Sequence, residues 1–204
     1  MSLVAVLGGT FDPIHGGHIA IAQQAADALE ADEAWLIPAG IPPHRGSPGA
    51  PARHRLAMAR AAVEGHDRLR VLDLEMHRNG PSYTIDTLAT LTRRHPGTDF
   101  WLVVGADAAP TVSAWHRGEE LLATGLFAVV NRSGIAAPEE ADVRGWGFDP
   151  ARTRIVSLDS PPISSSEVRA RVAAGAEVDD LVPAAVAALI SQLGFYRPAI
   201  MGGG

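Results

Sequence analysis

Residues 3–29 read LVAVLGGTFDPIHGGHIAIAQQAADAL. An apolar run, Leu3–Leu7, has the length of a buried strand, and an Ala-rich segment, Ile19–Leu29, has helical spacing. Between them lies a glycine-rich turn with two histidines, His15 and His18. Strand, tight turn and helix in that order open a parallel α/β unit. Gly8 and Gly9 allow backbone N–H groups to approach a ligand without Cβ interference, and a helix N-terminus favours an anion. Histidines at i and i+3 lie on one helix face, beside those N–H groups. The turn reads as a polyphosphate cradle.

Two common cradles are excluded by spelling. No Gly-Lys-Ser or Gly-Lys-Thr occurs, so there is no P-loop, and Gly8-Gly9-Thr10-Phe11 breaks the G-x-G-x-x-G pattern. His-x-x-His on a helix is also half of a zinc site, but the chain has no Cys and no His-Glu-x-x-His. A plain helix start with two solvated histidines would explain neither the run of glycines nor Pro13.

Outward from this turn, further strand-like apolar runs are Ala34–Ile37, Leu69–Leu72, Phe100–Val104, Leu126–Val130 and Ile155–Leu158. Helical spacing appears over Arg55–Ala62, Ile85–Arg93, Ser166–Ala174 and Pro183–Leu193, with Gly194 as a stop. Alternating strand and helix predict an α/β three-layer sandwich, a mostly parallel sheet with helices on both faces. Such sheets bind ligands beyond their carboxyl strand ends, so Gly8–His18 and Gly105–Asp107 should share one rim. Two stretches read as loops: the Pro/Gly-dense Pro38–Ala52, and Ser133–Arg152, read as variable surface. Residues 1–198 are expected to form a single domain, followed by a tail over 199–204.

The chain has 204 residues, 47% hydrophobic, with 17 basic and 23 acidic side chains and a formal net charge of −6. A cationic footprint for nucleic acid is missing. No stretch has the length of a membrane span, and no signal peptide is visible, so the expected location is cytoplasmic, without membrane partners.

A second informative segment is Ile163-Ser164-Ser165-Ser166-Glu167-Val168-Arg169. Ser164 with Glu167 fits a capping box. Three serines at a helix start also offer donors to an anion, and Arg169, one turn in, leans back toward the same anion. In the Pro-rich loop, Pro42-Pro43-His44-Arg45 carries two further phosphate-capable side chains.

These motifs carry a resemblance. His15-Gly16-Gly17-His18 resembles the HxGH signature of the nucleotidyltransferase superfamily, and ISSSEVR resembles its second signature, ISSTxxR, with Ser166 in place of Thr. With PAGIPPHR (38–45), SYTIDTL (82–88) and GADAAPTVSAWH (105–116), the chain most resembles the bacterial nicotinate-nucleotide adenylyltransferases. The resemblance implies a Rossmann-like fold. It also implies adenylyl transfer from ATP to nicotinic acid mononucleotide, giving deamido-NAD and pyrophosphate, with Mg²⁺ carried on ATP and no dedicated protein metal site.

The ATP site is then expected to comprise Gly8, Gly9, Thr10, Phe11, His15, His18, Gly105, Asp107 and Ile163–Ser166 with Arg169. The catalytic groups among them would be His15, His18 and Arg169. The mononucleotide would meet His44, Arg45, Tyr83, Thr84, Asp107 and Trp115. Tyr83 and Thr84 open a helix whose dipole favours a carboxylate, a reason to prefer nicotinate over its amide. Trp115 offers a flat face to a pyridine ring, or else packs in the core. Alternatives are an amide-preferring or phosphopantetheine-type adenylyltransferase, or a non-catalytic nucleotide-binding module. A homo-oligomer is left open.

Overall fold

The computed structural model describes residues 2–43, 46–131 and 136–198. Six strands form one sheet: β1 (Ser2–Gly9), β2 (Glu33–Pro38), β3 (Leu69–Val71), β4 (Thr98–Gly105), β5 (Leu126–Val130) and β6 (Thr153–Val156). Every pairing is parallel, in the order β3-β2-β1-β4-β5-β6. This is the Rossmann order. From β1 the chain crosses to β2 on one side and later returns to β4 on the other. The ligand crevice of such a sheet lies where these directions diverge.

Strand alternation separates two cores. Val4 and Val6 of β1, Trp35 and Ile37 of β2, and Leu102 and Val104 of β4 face one side. There they meet α3 (Thr84–Arg94), α4 (Gly118–Thr124) and α5 (Glu140–Gly145) through Ile85, Leu91, Leu121 and Val143. Ala5, Leu36 and Val103 face the other side, toward α1 (Gly16–Leu29), α2 (Ala52–Ala62), α6 (Ser165–Ala173) and α7 (Ala184–Leu193). Buried on both faces, the strands read as continuous apolar runs, which is why they stood out in the sequence. In α1 the spacing Ala22, Ala25, Ala26, Leu29 buries a stripe of small residues that lets the helix lie close to the sheet.

The expected loop at 38–52 is present between β2 and α2. The expected variable surface at 133–152 needs correction. It contains α5 and a 3₁₀ turn, Pro150–Arg152, and it buries Val143 and Phe148. The Phe148 ring packs edge-on against Phe127 of β5, with centroids 4.9 Å apart. Two apolar residues in a short acidic stretch gave no periodicity to read. Residues 132–135 and the expected tail, 199–204, lie outside the described residues. No helix among the described residues is long and apolar enough to cross a membrane.

Candidate active site

The carboxyl ends of β1 and β4 open onto a cavity of about 530 Å³, within the range of small-ligand pockets. Gly8 and Gly9 lie on its wall with Gly105, so the two turns expected on one rim do share it. An added Cβ at Gly8 would meet nothing within 4 Å, because the space above it is cavity. At Gly9 an added Cβ would stand 2.8 Å from the ring of Phe11, which folds back over the turn. Phe11 is itself left-handed (φ 49°) and buried. Such a conformation costs a bulky residue of order 1–3 kcal/mol and persists because the surrounding packing determines it.

The two histidines separate. His15 is the N-cap of α1 and is buried, whereas His18 lines the cavity. Their rings stack with centroids 3.7 Å apart, and the His15 N–H donates to His18 Nδ1 at 3.3 Å. Phe11 meets the His18 ring edge-on at 4.9 Å. With Nδ1 accepting, a neutral His18 carries its proton on Nε2. That assignment follows from the hydrogen bond.

The second signature docks directly on the first. Ser165 Oγ donates to the Pro13 carbonyl at 2.9 Å, and Arg169 Nη1 donates to the Asp12 carbonyl at 2.7 Å. Segments more than 150 residues apart in sequence thus become one surface, with Ser165 and Arg169 on the cavity wall. Ser164 caps α6 by accepting from the Glu167 N–H at 3.1 Å. The other half of the expected box is replaced: Glu167 pairs with Arg171 at 3.2 Å. Ile163, Ser164, Ser166 and Asp107 belong to these turns but lie behind or beside the wall; Asp107 is exposed on the turn after β4.

Tyr83, Thr84 and Trp115 line the same cavity. Tyr83 is the N-cap of α3, so the first-turn N–H groups there lack intrahelical carbonyl partners. Trp115 is half-buried; it packs against the core and also lines the cavity, and its Nε1 donates to Thr111 Oγ1 at 3.1 Å. Both roles weighed for it are thus compatible with its position. His44 and Arg45 lie outside the described residues.

Several residues at the site were not singled out from sequence. His116 stacks on Tyr83 at 3.9 Å between centroids. Glu75, buried beside the cavity, accepts from Thr87 Oγ1 at 2.6 Å, and burial pushes its carboxyl above the ordinary value despite that bond. Ser82 Oγ accepts the Gly40 N–H at 3.0 Å, tying the α3 start to the Pro-rich loop. Arg55 is fully buried and donates to four carbonyls: Thr10 at 2.5 Å, Ala39 at 2.7 Å, Gly40 at 3.0 Å and Ala50 at 3.2 Å. Burial pulls its pKa below the usual value, opposed by the nearby Asp12 carboxylate. No periodicity marks such a residue; only its place directly after a Pro-rich loop hints at it.

Comparison with known proteins agrees with this architecture. The family described as cytidylyltransferase-like matches residues 6–171. The chain is 38% identical over 197 residues to a protein of Exiguobacterium sibiricum described as a probable nicotinate-nucleotide adenylyltransferase, covering 95% of this chain and 98% of that one. The chain belongs to the nicotinate-nucleotide adenylyltransferase family. A Salinibacter ruber protein of the same description is 39% identical over 196 residues, covering 96% and 98% of the two chains. The fold is shared with Plasmodium falciparum nicotinic acid mononucleotide adenylyltransferase in complex with NaAD, at TM-score 0.80 and 20% identity, covering 96% of this chain and 98% of that one. The two turns on which the sequence resemblance rests are the ones that the structure joins.

Proposed function

We propose that this chain, as one unit over residues 1–198, transfers the adenylyl group of ATP to nicotinic acid mononucleotide. The products are deamido-NAD and pyrophosphate. The observation that carries this reading is the union of the two signature turns at the switch-point cavity. Arg169 and Ser165 there bond the backbone beside His18.

The mononucleotide phosphate is ionised at neutral pH and needs no general base. One of its oxygens attacks the α-phosphorus of ATP, a P–O bond forms, and the bond to the β-phosphate breaks with its electron pair leaving on pyrophosphate. The protein's part is to align the reactants and to receive the charge that moves onto the leaving group. Gly8–Phe11 supply backbone donors, and His15 and His18 act as one stacked unit whose cavity-facing member is His18. Ile163–Ser166 and Arg169 close the phosphate side, while Gly105 and Asp107 flank the nucleoside. Among the described residues no three His, Asp or Glu side chains converge as metal ligands would. Magnesium fits as part of the substrate, held through triphosphate oxygens and water, where it offsets phosphate charge.

The acid preference is assigned to the start of α3. Its N–H groups and dipole at Tyr83–Thr84 favour a carboxylate over a neutral amide. A pyrophosphate-release assay should show clearly faster turnover with nicotinic acid mononucleotide than with nicotinamide mononucleotide. Equal or better use of the amide would overturn this assignment. Trp115→Ala should raise KM for the mononucleotide roughly tenfold, equivalent to ~1.4 kcal/mol of stacking, with KM for ATP little changed. An unfolded variant would instead make Trp115 a core residue.

A further inference from the structure

After α7 the chain reverses on two left-handed residues, Gly194 (φ 68°) and Tyr196 (φ 64°). This brings the Tyr196 ring against Gly49 in the β2–α2 loop, where an added Cβ would stand 3.0 Å from two ring carbons. The Tyr196 hydroxyl donates to Asp12 Oδ1 at 2.8 Å. The buried Asp12 carboxylate also accepts the Ala50 N–H on Oδ1 at 3.0 Å and the Gly49 N–H on Oδ2 at 2.7 Å. Arg55 adds a further positive charge near this carboxylate. Arg169, which binds the Asp12 carbonyl, stays 3.9 Å from Oδ2, and its other arm donates to Ser166 Oγ at 3.1 Å. Burial, with the Asp12 carboxylate alongside, pushes the Tyr196 phenol far above its ordinary value, so the hydroxyl remains a donor.

We propose that Tyr196 is a positioning residue for adenylyl transfer: its hydroxyl, by occupying Asp12, keeps Arg169 directed at the phosphate site. The inference rests on the phosphate-site reading given above. Asp12 is close enough to Arg169 to compete with an anionic substrate for the guanidinium. Three donors, two from the loop backbone and one from Tyr196, hold the carboxylate in place and occupy three of its roughly four acceptor sites. Without the phenol, Oδ1 loses one donor and the carboxylate gains reason to turn toward Arg169. A close Asp12–Arg169 pair would draw the cation off the cavity wall and weaken its charge at the leaving group. The turn after α7, though outside both signatures, thereby sets the geometry of the second.

The test is a double-mutant cycle on kcat. Tyr196→Phe keeps the ring and its packing on Gly49, so the melting temperature should stay near wild type. Its kcat should fall roughly tenfold, with KM for the mononucleotide unchanged. In an Arg169→Ala background the same substitution should have no further effect. Gly49→Ala, which displaces the ring with its new Cβ, should reproduce both results. Equal losses in the two backgrounds would make Tyr196 merely structural and overturn the proposal, as would wild-type kcat in Tyr196→Phe. If Arg169→Ala alone leaves kcat unchanged, the phosphate-site reading itself fails and this inference falls with it.

Discussion

His18→Ala should lower kcat by at least about a hundredfold while the variant stays folded, the loss typical of a transition-state donor in a preorganised site. The His18 ring is held on three sides: by the His15 ring, by the His15 N–H on Nδ1, and by the edge of Phe11. With those contacts made, the ring needs little reorganisation to meet charge as it develops on pyrophosphate. Because the interaction strengthens as that charge grows, kcat should suffer more than KM for ATP. Alanine removes the ring and, with it, the acceptor for the His15 N–H, one half of the α1 capping box; the turn itself should survive that loss. Single-turnover measurement at saturating ATP gives the clearest number. A folded His18→Ala protein turning over at near wild-type rate would remove His18 from the mechanism.

The second large effect is on stability. Arg55→Met should cost about 3–5 kcal/mol, since four carbonyls on three segments lose a shared donor and Asp12 loses a neighbouring cation. For a chain of this size that lowers the melting temperature by roughly 6–20 °C. Arg55→Lys should not restore it, because an ammonium cannot reproduce the planar fork that spans Thr10, Ala39, Gly40 and Ala50. Thermal unfolding followed by circular dichroism decides the matter; a shift under about 2 °C would mean the loop holds without the guanidinium. Because Arg55 joins the Pro-rich loop to the signature turn, activity should fall before global unfolding.

The strands and long helices were legible because burial on both faces of a parallel sheet leaves unbroken apolar runs, and α7 ends in a recognisable signal. Gly194 stops α7 in the left-handed conformation expected of it. The two turns that meet at the cavity were legible as well: a glycine turn before a helix and a serine cluster opening another are local patterns with a local physical meaning. The shorter α4 and α5 carry too few apolar residues to show a period. What stayed hidden were the supports. Arg55 reads as one polar residue on a polar helix, Asp12 as a turn former, and Tyr196 as an aromatic near the end. Their function exists only through partners in other segments, 45 positions away for Arg55 and Thr10 and 184 for Tyr196 and Asp12. One sequence records residue types along a line; it does not record which distant backbone groups need a donor.

The outermost strands carry one more consequence. β3 has three residues and β6 four, against eight in β1 and β4, and each outer strand carries an arginine, Arg70 and Arg154. Arg154 is further held over the Trp101 ring, 4.8 Å from its centroid. A sheet recruits foreign strands through long, flat, uncharged rims with open N–H and C=O rows. Here the rims are short and charged, which works against recruitment of a foreign strand by an otherwise strongly apolar sheet.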